Sequence, residues 1–183
     1  MAHMIPAEPK EFDARSHEGI VFEALKKLPD SYYVFHSVET VAVTDTNELL
    51  AKETDFLVVN KQLGALTIEV KAGDGIYYED GQWHYTSGLL MPHGGPYRQA
   101  RTASATLRRL VKDHTNPAVA SMVNHIKFVS AVWFPDMAQE FPIVKDTTPN
   151  MMNPRLYTTS YNKPQGQQFD DTAVLSFIKL QYT

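Results

Sequence analysis

Two acids and a lysine in the first half of this 183-residue chain have the residue types needed for metal-dependent chemistry on a phosphate ester. Asp55 stands fourteen residues ahead of the sequence Glu69-Val70-Lys71. Carboxylate and carbonyl oxygens suit a hard cation. We therefore take Asp55, Glu69 and the Val70 carbonyl as candidate ligands of Mg²⁺ or Mn²⁺. A lysine beside such an ion can orient the attacking water or stabilise the charge that develops in the transition state.

A β-hairpin is predicted to bring these residues together. Two apolar runs, residues 55–59 and 65–70, flank turn-type residues at 60–64. Side chains alternate along a strand, so Glu69 and Lys71 should point the same way, roughly 7 Å apart. Burying a lone charge costs several kcal/mol, so these groups need partners or a metal. The alternative is an ordinary ion pair on the exposed face of an edge strand, with Asp55 as a turn cap.

The remaining elements are predicted from periodicity and from capping or turn residues. The first is a helix from an N-cap at Ser16 to Leu28, with an apolar stripe of Ile20, Val21, Ala24, Leu25 and Leu28. A strand at 32–38 and a polar loop through Asp45 and Asn47 precede the central hairpin. After it come a second hairpin at 76–86, a helix from Pro96 to about Asp113, a short helix at 119–124, a strand at 126–134 and a last helix ending near Leu180. This order predicts an α/β fold with a mixed central sheet of four or five strands flanked by helices.

The chain divides into three predicted parts. Residues 1–15 form a leader and N-terminal arm, of which residues 1–4 look like a cloning leader outside the fold. Residues 16–135 form the core that carries the site. Residues 136–183 are rich in proline, asparagine, threonine and glutamine and are expected to form an irregular arm with a C-terminal helix.

Composition limits the functions that this chain can have. The absence of cysteine excludes disulfides, thiolate zinc sites and cysteine nucleophiles, and fits a cytoplasmic location. No run of about 20 apolar residues is present, so no membrane partner is expected. The formal net charge of −4 and the pI of about 5.9 argue against general electrostatic adhesion to nucleic acid. Metal-binding acids contribute part of that negative charge, and a bound cation would neutralise it.

Several of these residues, taken in order and spacing, resemble a known family. Glu18 on the first helix, Asp55, the sequence Glu69-Val70-Lys71 and the helix start Pro96-Tyr97-Arg98-Gln99-Ala100 are similar to the nuclease-related domain family (NERD), a branch of the PD-(D/E)xK nuclease superfamily. The resemblance implies a restriction-endonuclease-like core that cuts DNA with Mg²⁺ or Mn²⁺. The family often has asparagine before the proline of the second helix, where this chain has Gly95.

The resemblance also implies a role for each matching residue. Asp55 and Glu69 would be metal ligands, Lys71 the catalytic lysine, Glu18 an auxiliary acid and Gln99 a site residue carried by the helix. For Glu18 the alternative is an acid that interacts only with the helix dipole, worth under about 1 kcal/mol.

The resemblance extends to partners and leaves alternatives open. Proteins with this domain often join it to a helicase, which implies a helicase domain or partner. Apart from the resemblance, the arm at residues 136–168 could be a homodimer contact, a substrate clamp or a docking strap. A different class of function is a nucleic-acid-binding or docking module with the same fold and little cleavage of its own. The substrate could also be RNA or a branched junction, and the sequence does not decide endo against exo action or one metal against two.

Overall fold

The computed structural model describes residues 1–9, 12, 15–43, 49–73 and 75–136. The polar loop through Asp45 and Asn47 and the last helix near Leu180 lie outside the described residues, as does the arm beyond Asp136.

Five strands of the described residues form one mixed sheet, which confirms the predicted fold class. The strands are β1 (His3–Ile5), β2 (Tyr32–Val43), β3 (Leu49–Asn60), β4 (Gly64–Val70) and β7 (Phe128–Trp133), in the order β1-β2-β3-β4-β7. Strands β2, β3 and β4 are antiparallel neighbours, whereas β1 and β7 join the sheet in parallel. A separate hairpin contains β5 (Tyr77–Glu79) and β6 (Gln82–His84).

The predicted central hairpin is present as β3 and β4. Its turn is held by Asn60, whose side-chain oxygen accepts hydrogen bonds from the backbone N–H groups of Gln62 and Leu63. Both β2 and β3 are longer than predicted, and their ladder is interrupted at one position. Ser37 has a φ of 51°, and the paired positions resume on either side of it, at His36 and Val38. That interruption lies opposite Asp55, so the sheet is distorted beside the candidate site.

Three helices accompany the sheet among the described residues: α1 (Glu18–Lys26), α2 (Pro96–Lys112) and α3 (Pro117–Ser121). Helix α1 is shorter than predicted at both ends. Its predicted apolar stripe is wrong at one position, because Ile20 is 57% exposed while Phe22 is 1% exposed. Helix α2 begins at Pro96 as predicted and ends one residue before the expected Asp113.

The sheet separates α1 from α2. Val21, Phe22 and Leu25 of α1 pack in one cluster with the alternate residues Leu66, Ile68 and Val70 of β4. The intervening Thr67 has its hydroxyl hydrogen-bonded to the Ala100 carbonyl of α2 at 3.2 Å. Side chains alternate along a strand, so Glu69 belongs to the sheet face that Thr67 shares with α2.

The first residues differ from expectation. Residues 3–5 form β1, which pairs with Tyr33, Val34 and Phe35 of β2, and the His3 ring stacks on the Tyr33 ring with centroids 4.7 Å apart. The expectation that residues 1–4 stay outside the fold is therefore wrong for His3 and Met4. Residues 3–5 are too few to be predicted as a strand from their sequence. They form one here because β2 offers an edge with which they can pair in parallel.

Candidate active site

Asp55 and Glu69 are brought side by side on neighbouring strands. The β3–β4 register that pairs Phe56 with Ile68 continues by one step to place Asp55 opposite Glu69. The Val70 backbone N–H donates a hydrogen bond of 2.6 Å to Oδ2 of Asp55. This bond fixes the Asp55 carboxylate between the two strands, at the end of the hairpin where the backbone ladder stops.

Lys71 is paired with Glu69. Its Nζ is 2.7 Å from Oε1 of Glu69, and the two side chains are 19% and 8% exposed. The alternative of a surface pair on an edge strand is wrong, because β4 lies between β3 and β7 and Glu69 is buried. Removing one partner from a buried pair leaves an uncompensated charge, which costs about 3–5 kcal/mol. Taking both charges out of water costs several kcal/mol per ion, and their attraction need not repay it, so the pair is weak evidence for stability and is consistent with a functional role.

The acids repel one another. Burial first, and then the negative charge of Glu69, raise the pKa of Asp55 from its ordinary value of 3.8 to about 7, and the charge of Glu18 adds to the rise. The hydrogen bond from Val70 and the positive charge of Lys71 act in the opposite direction but do not offset it. A carboxyl group held in this state near neutral pH is characteristic of functional sites, and a cation would relieve the repulsion.

Lys71 remains a cation despite its burial. Burial alone would lower the pKa of Lys71, but the charge and hydrogen bond of Glu69, together with Asp55 and the more distant Tyr85, raise it. A lysine with a raised pKa is protonated at neutral pH, so it can donate hydrogen bonds and positive charge but cannot act as a base.

Glu18 reaches the same electrostatic environment from α1. Its pKa is raised, mainly by burial, with smaller contributions from Glu53 and Glu69, while Ser16 and Lys71 lower it. The Ser16 hydroxyl also accepts the Glu18 backbone N–H at 3.3 Å. The structure therefore brings Glu18 near the three residues of β3 and β4, and a surface acid that interacts only with the helix dipole does not account for this.

Gln99 lies on α2, and its side chain is engaged with the loop ahead of that helix. Its Nε2 donates a hydrogen bond of 3.1 Å to the Pro92 carbonyl. The neighbouring Gly95 has a φ of 90°, and a Cβ there would lie 2.3 Å from the Trp83 ring. Asparagine, the frequent family residue at this position, does not fit this packing. Arg101 and Arg108 of α2 are exposed to solvent.

Two residues around the site, Asp136 and Tyr85, carried no signal that the sequence could reveal. Asp136 has its carboxylate hydrogen-bonded both to His17, immediately before Glu18, and to the backbone of Gly73, two residues after Lys71. Tyr85, next to the second hairpin, influences the Lys71 ammonium. Asp136 is 119 residues from His17 and 63 from Gly73, and Tyr85 follows a different hairpin from the one that carries the acids, so no local pattern marks either residue.

The donor set fits a hard divalent cation. Mg²⁺ is usually held by one or two carboxylates, with waters and substrate phosphates completing its shell. Asp55 and Glu69 supply two carboxylates, and the repulsion that raises the pKa of Asp55 supplies a reason to bind positive charge. Within residues that the structure describes, no cluster of three or more histidine, cysteine, aspartate or glutamate side chains could hold a metal.

The sheet order, the central hairpin and the buried acid-lysine cluster at its end together define a PD-(D/E)xK-like nuclease core. The chain belongs to the nuclease-related domain family, because the sequence model of that family matches residues 14–135. Nuclease-like folds of this superfamily generally use divalent metals. Searches of curated proteins and of solved structures found no match to the chain. Across the described part of the chain, no helix has the length and apolar character needed to cross a membrane.

Proposed function

We propose that this domain is a Mg²⁺- or Mn²⁺-dependent deoxyribonuclease that hydrolyses phosphodiester bonds of DNA. The observation that carries the proposal is the convergence of Asp55, Glu69 and Lys71 at the end of the central hairpin, with Lys71 Nζ 2.7 Å from Glu69 and the Val70 N–H 2.6 Å from Asp55. Membership of the nuclease-related domain family supports the same chemistry.

In this proposal Asp55 and Glu69, with the Val70 carbonyl, hold the divalent ion. When bound, that ion supplies positive charge for the transition state and lowers the pKa of water. The hydrogen bond from Val70 to one Asp55 oxygen leaves the other oxygen to face a ligand. Fixing the carboxylate in advance reduces the reorganisation that binding requires.

The protonated Lys71 is proposed to stabilise negative charge on the phosphate rather than to remove a proton from water. Its raised pKa supports this assignment, because a base would need a depressed one. Removing one electrostatic donor from an active site typically lowers kcat by about 10²- to 10³-fold.

Glu18 is proposed as the auxiliary acid, since it joins the same charge cluster from a different element. Gln99 stays a proposed site residue on the strength of the family resemblance. Its bond to the Pro92 carbonyl supports a role in ordering the loop ahead of α2.

The proposal is tested by incubating the protein with plasmid and with linear single- and double-stranded DNA, in Mg²⁺ or Mn²⁺. We expect metal-dependent cleavage that Asp55→Ala abolishes. Lys71→Ala should lose at least about 10²-fold in cleavage rate while DNA affinity, measured in parallel, persists. Unchanged cleavage by the lysine variant would remove Lys71 from the mechanism, and cleavage that survives in chelator would remove the metal.

A second candidate function is a nucleic-acid-binding or docking module with little cleavage of its own. The net charge of −4 favours the docking form of this alternative, in which a partner brings the DNA, because this chain itself offers little electrostatic attraction to DNA. Binding without cleavage under every metal condition would support this alternative. RNA and a branched junction belong in the same assay, because the proposed chemistry does not select among phosphodiesters.

The family resemblance suggests a further proposal, that the domain acts as the nuclease module of a larger nuclease-helicase. A second proposal, which rests on the arm after the core, is that the domain acts as a homodimer. Light scattering of the purified chain measures the second arrangement directly. A monomer at every concentration used for cleavage would exclude a homodimer as the active form.

A further inference from the structure

The segment after β7 runs beside the segment after β4. Val70 pairs with Trp133 in the parallel β4–β7 ladder, and the Lys71 N–H donates a hydrogen bond of 2.9 Å to the Trp133 carbonyl. Gly73 and Asp136 each follow that pair by three residues. Parallel strands leave a sheet at the same edge, so Asp136 arrives next to the loop that Lys71 begins.

Asp136 uses both of its carboxylate oxygens there. Oδ2 accepts a hydrogen bond of 2.6 Å from the Gly73 backbone N–H, and Oδ1 lies 2.5 Å from Nδ1 of His17. An ionised carboxylate only accepts hydrogen bonds, so Nδ1 of His17 carries the proton. The Asp136 side chain is 16% exposed. Hydrogen bonds to a charged group that is shielded from water are among the stronger ones in proteins.

The two partners of Asp136 have constrained backbones. His17 has a φ of 55° and Gly73 a φ of 129°. Non-glycine residues seldom adopt the left-handed region that His17 occupies, and the conformation directs the chain into α1. His17 provides no side-chain cap for that helix. Its ring therefore serves the contact with Asp136 instead of the helix terminus.

These contacts connect the Asp136 side chain to the segments that carry Glu18 and Lys71. Glu18 directly follows His17, and Lys71 lies two residues before Gly73. We propose that Asp136 and His17 form a positioning pair that fixes Glu18 of α1 relative to Lys71 of β4. In this proposal the pair acts by holding the two segments in place and not by contacting substrate or metal. This inference rests on the proposed function for the reaction that it serves, but the two bonds themselves can be tested without that reaction.

The first experiment measures amide hydrogen exchange in metal-free protein. The Gly73 N–H bonds to Asp136, and the Ile20 N–H bonds to the His17 carbonyl at 3.1 Å, so these amides report the two ends of the contact. Asp136→Ala should speed exchange at both amides by about tenfold or more. His17→Asn should speed exchange at Ile20 alone, since asparagine tolerates the left-handed conformation.

Asp113→Ala is the matched control, because Asp113 is an exposed acid, 59% exposed at the side chain, whose partner is Arg109 of α2. The proposed pair would be refuted if Asp136→Ala and His17→Asn both exchanged the Ile20 and Gly73 amides at the rates seen in the control. Should Asp136→Ala fail to fold, His17→Asn still tests the contact with α1.

The second experiment separates positioning from general stabilisation. Single-turnover cleavage at saturating DNA should fall by about tenfold in His17→Asn, with DNA affinity unchanged, since small misplacements of catalytic groups carry costs of that order. If His17 acts through Glu18, combining His17→Asn with Glu18→Gln should lose no more than Glu18→Gln alone. Additive losses would mean that the pair stabilises the fold without positioning Glu18. If the unaltered protein cleaves no DNA, the proposed function fails and the exchange rates alone decide the pair.

Discussion

Replacing Asp55 by asparagine should stabilise the metal-free protein at neutral and alkaline pH. Asparagine keeps an oxygen that can accept the Val70 N–H and removes the charge that burial and Glu69 oppose. A functional site that sacrifices stability for ligand binding behaves in this way, whereas a purely structural carboxylate would not. The perturbation therefore tests the electrostatic account of the site independently of any activity.

The magnitude and its pH dependence follow from the pKa. A rise from 3.8 to about 7 corresponds to about 4 kcal/mol of folding free energy. Because the pKa is raised in the folded state, the Asp55 carboxyl favours folding only at low pH. That contribution is fully present below about pH 4 and is lost as the pH rises through about 7. The attraction of Lys71 is already contained in that shift. The amide group of asparagine is a new buried donor, which costs about 1–3 kcal/mol where it finds no acceptor, so we expect a net gain of about 2 kcal/mol at pH 8.

The assay is urea unfolding in chelator from pH 4 to 9. The free energy of unfolding of Asp55→Asn relative to the unaltered protein should grow between pH 4 and 7 and then stay level. Asp113→Asn, which removes an equal charge from an exposed position, should show no such trend. A difference that is independent of pH, or a variant that is less stable at pH 8, would refute the reasoning.

Metal should reverse the order of stability. Mn²⁺ at 100 times its dissociation constant would stabilise the unaltered protein by about 2.7 kcal/mol and the Asp55→Asn variant by much less. Binding requires the Asp55 proton to leave, so metal affinity should fall by about tenfold for each pH unit below about 7. Calorimetric titration at pH 6 and 8 measures this directly, and equal affinities would contradict it.

Three further outcomes are expected. Glu18→Gln should lower the rate of single-turnover cleavage by about tenfold, which is less than the loss expected for Lys71→Ala. If the two variants lose the same factor in rate, Glu18 is more than an auxiliary acid. Reversing the charge of Arg101 and Arg108 should leave DNA affinity and its dependence on salt concentration unchanged, because both side chains are exposed to solvent. A weaker dependence of affinity on salt in the variant would instead assign phosphate contacts to these arginines. Gly95→Asn should cost roughly 2 kcal/mol or more, since its Cβ would meet the Trp83 ring at 2.3 Å, and an unchanged midpoint in thermal unfolding would show that the loop yields.

The central hairpin was predictable because its signals are local. Alternation, a turn at Asn60 and the spacing from Asp55 to Glu69 fix the register, and register decides which side chains meet. The α1 stripe shows where local reasoning stops. Ile20 and Phe22 are both apolar and two residues apart, and only the position of the helix on the sheet determines that Phe22 is the buried one.

The contacts of Asp136 could not be predicted for a different reason. His17 and Asp136 are 119 residues apart, and Gly73 and Asp136 are 63 apart. No periodicity links such positions. Their meeting depends on the parallel docking of β7 against β4, which the sequence indicates only as a further strand after a helix.

The late arrival of β7 has a consequence for how the protein is made. A ribosome releases the acids and the lysine well before Trp133 and Asp136 emerge. Until then the hairpin lacks its parallel neighbour, and the loop after Lys71 lacks the carboxylate that holds it. Contacts between such distant parts of a chain form slowly. A nascent polypeptide would thus carry Asp55, Glu69 and Lys71 before the contacts that complete their surroundings have formed. If the domain cleaves DNA as proposed, that activity should begin only after β7 has docked.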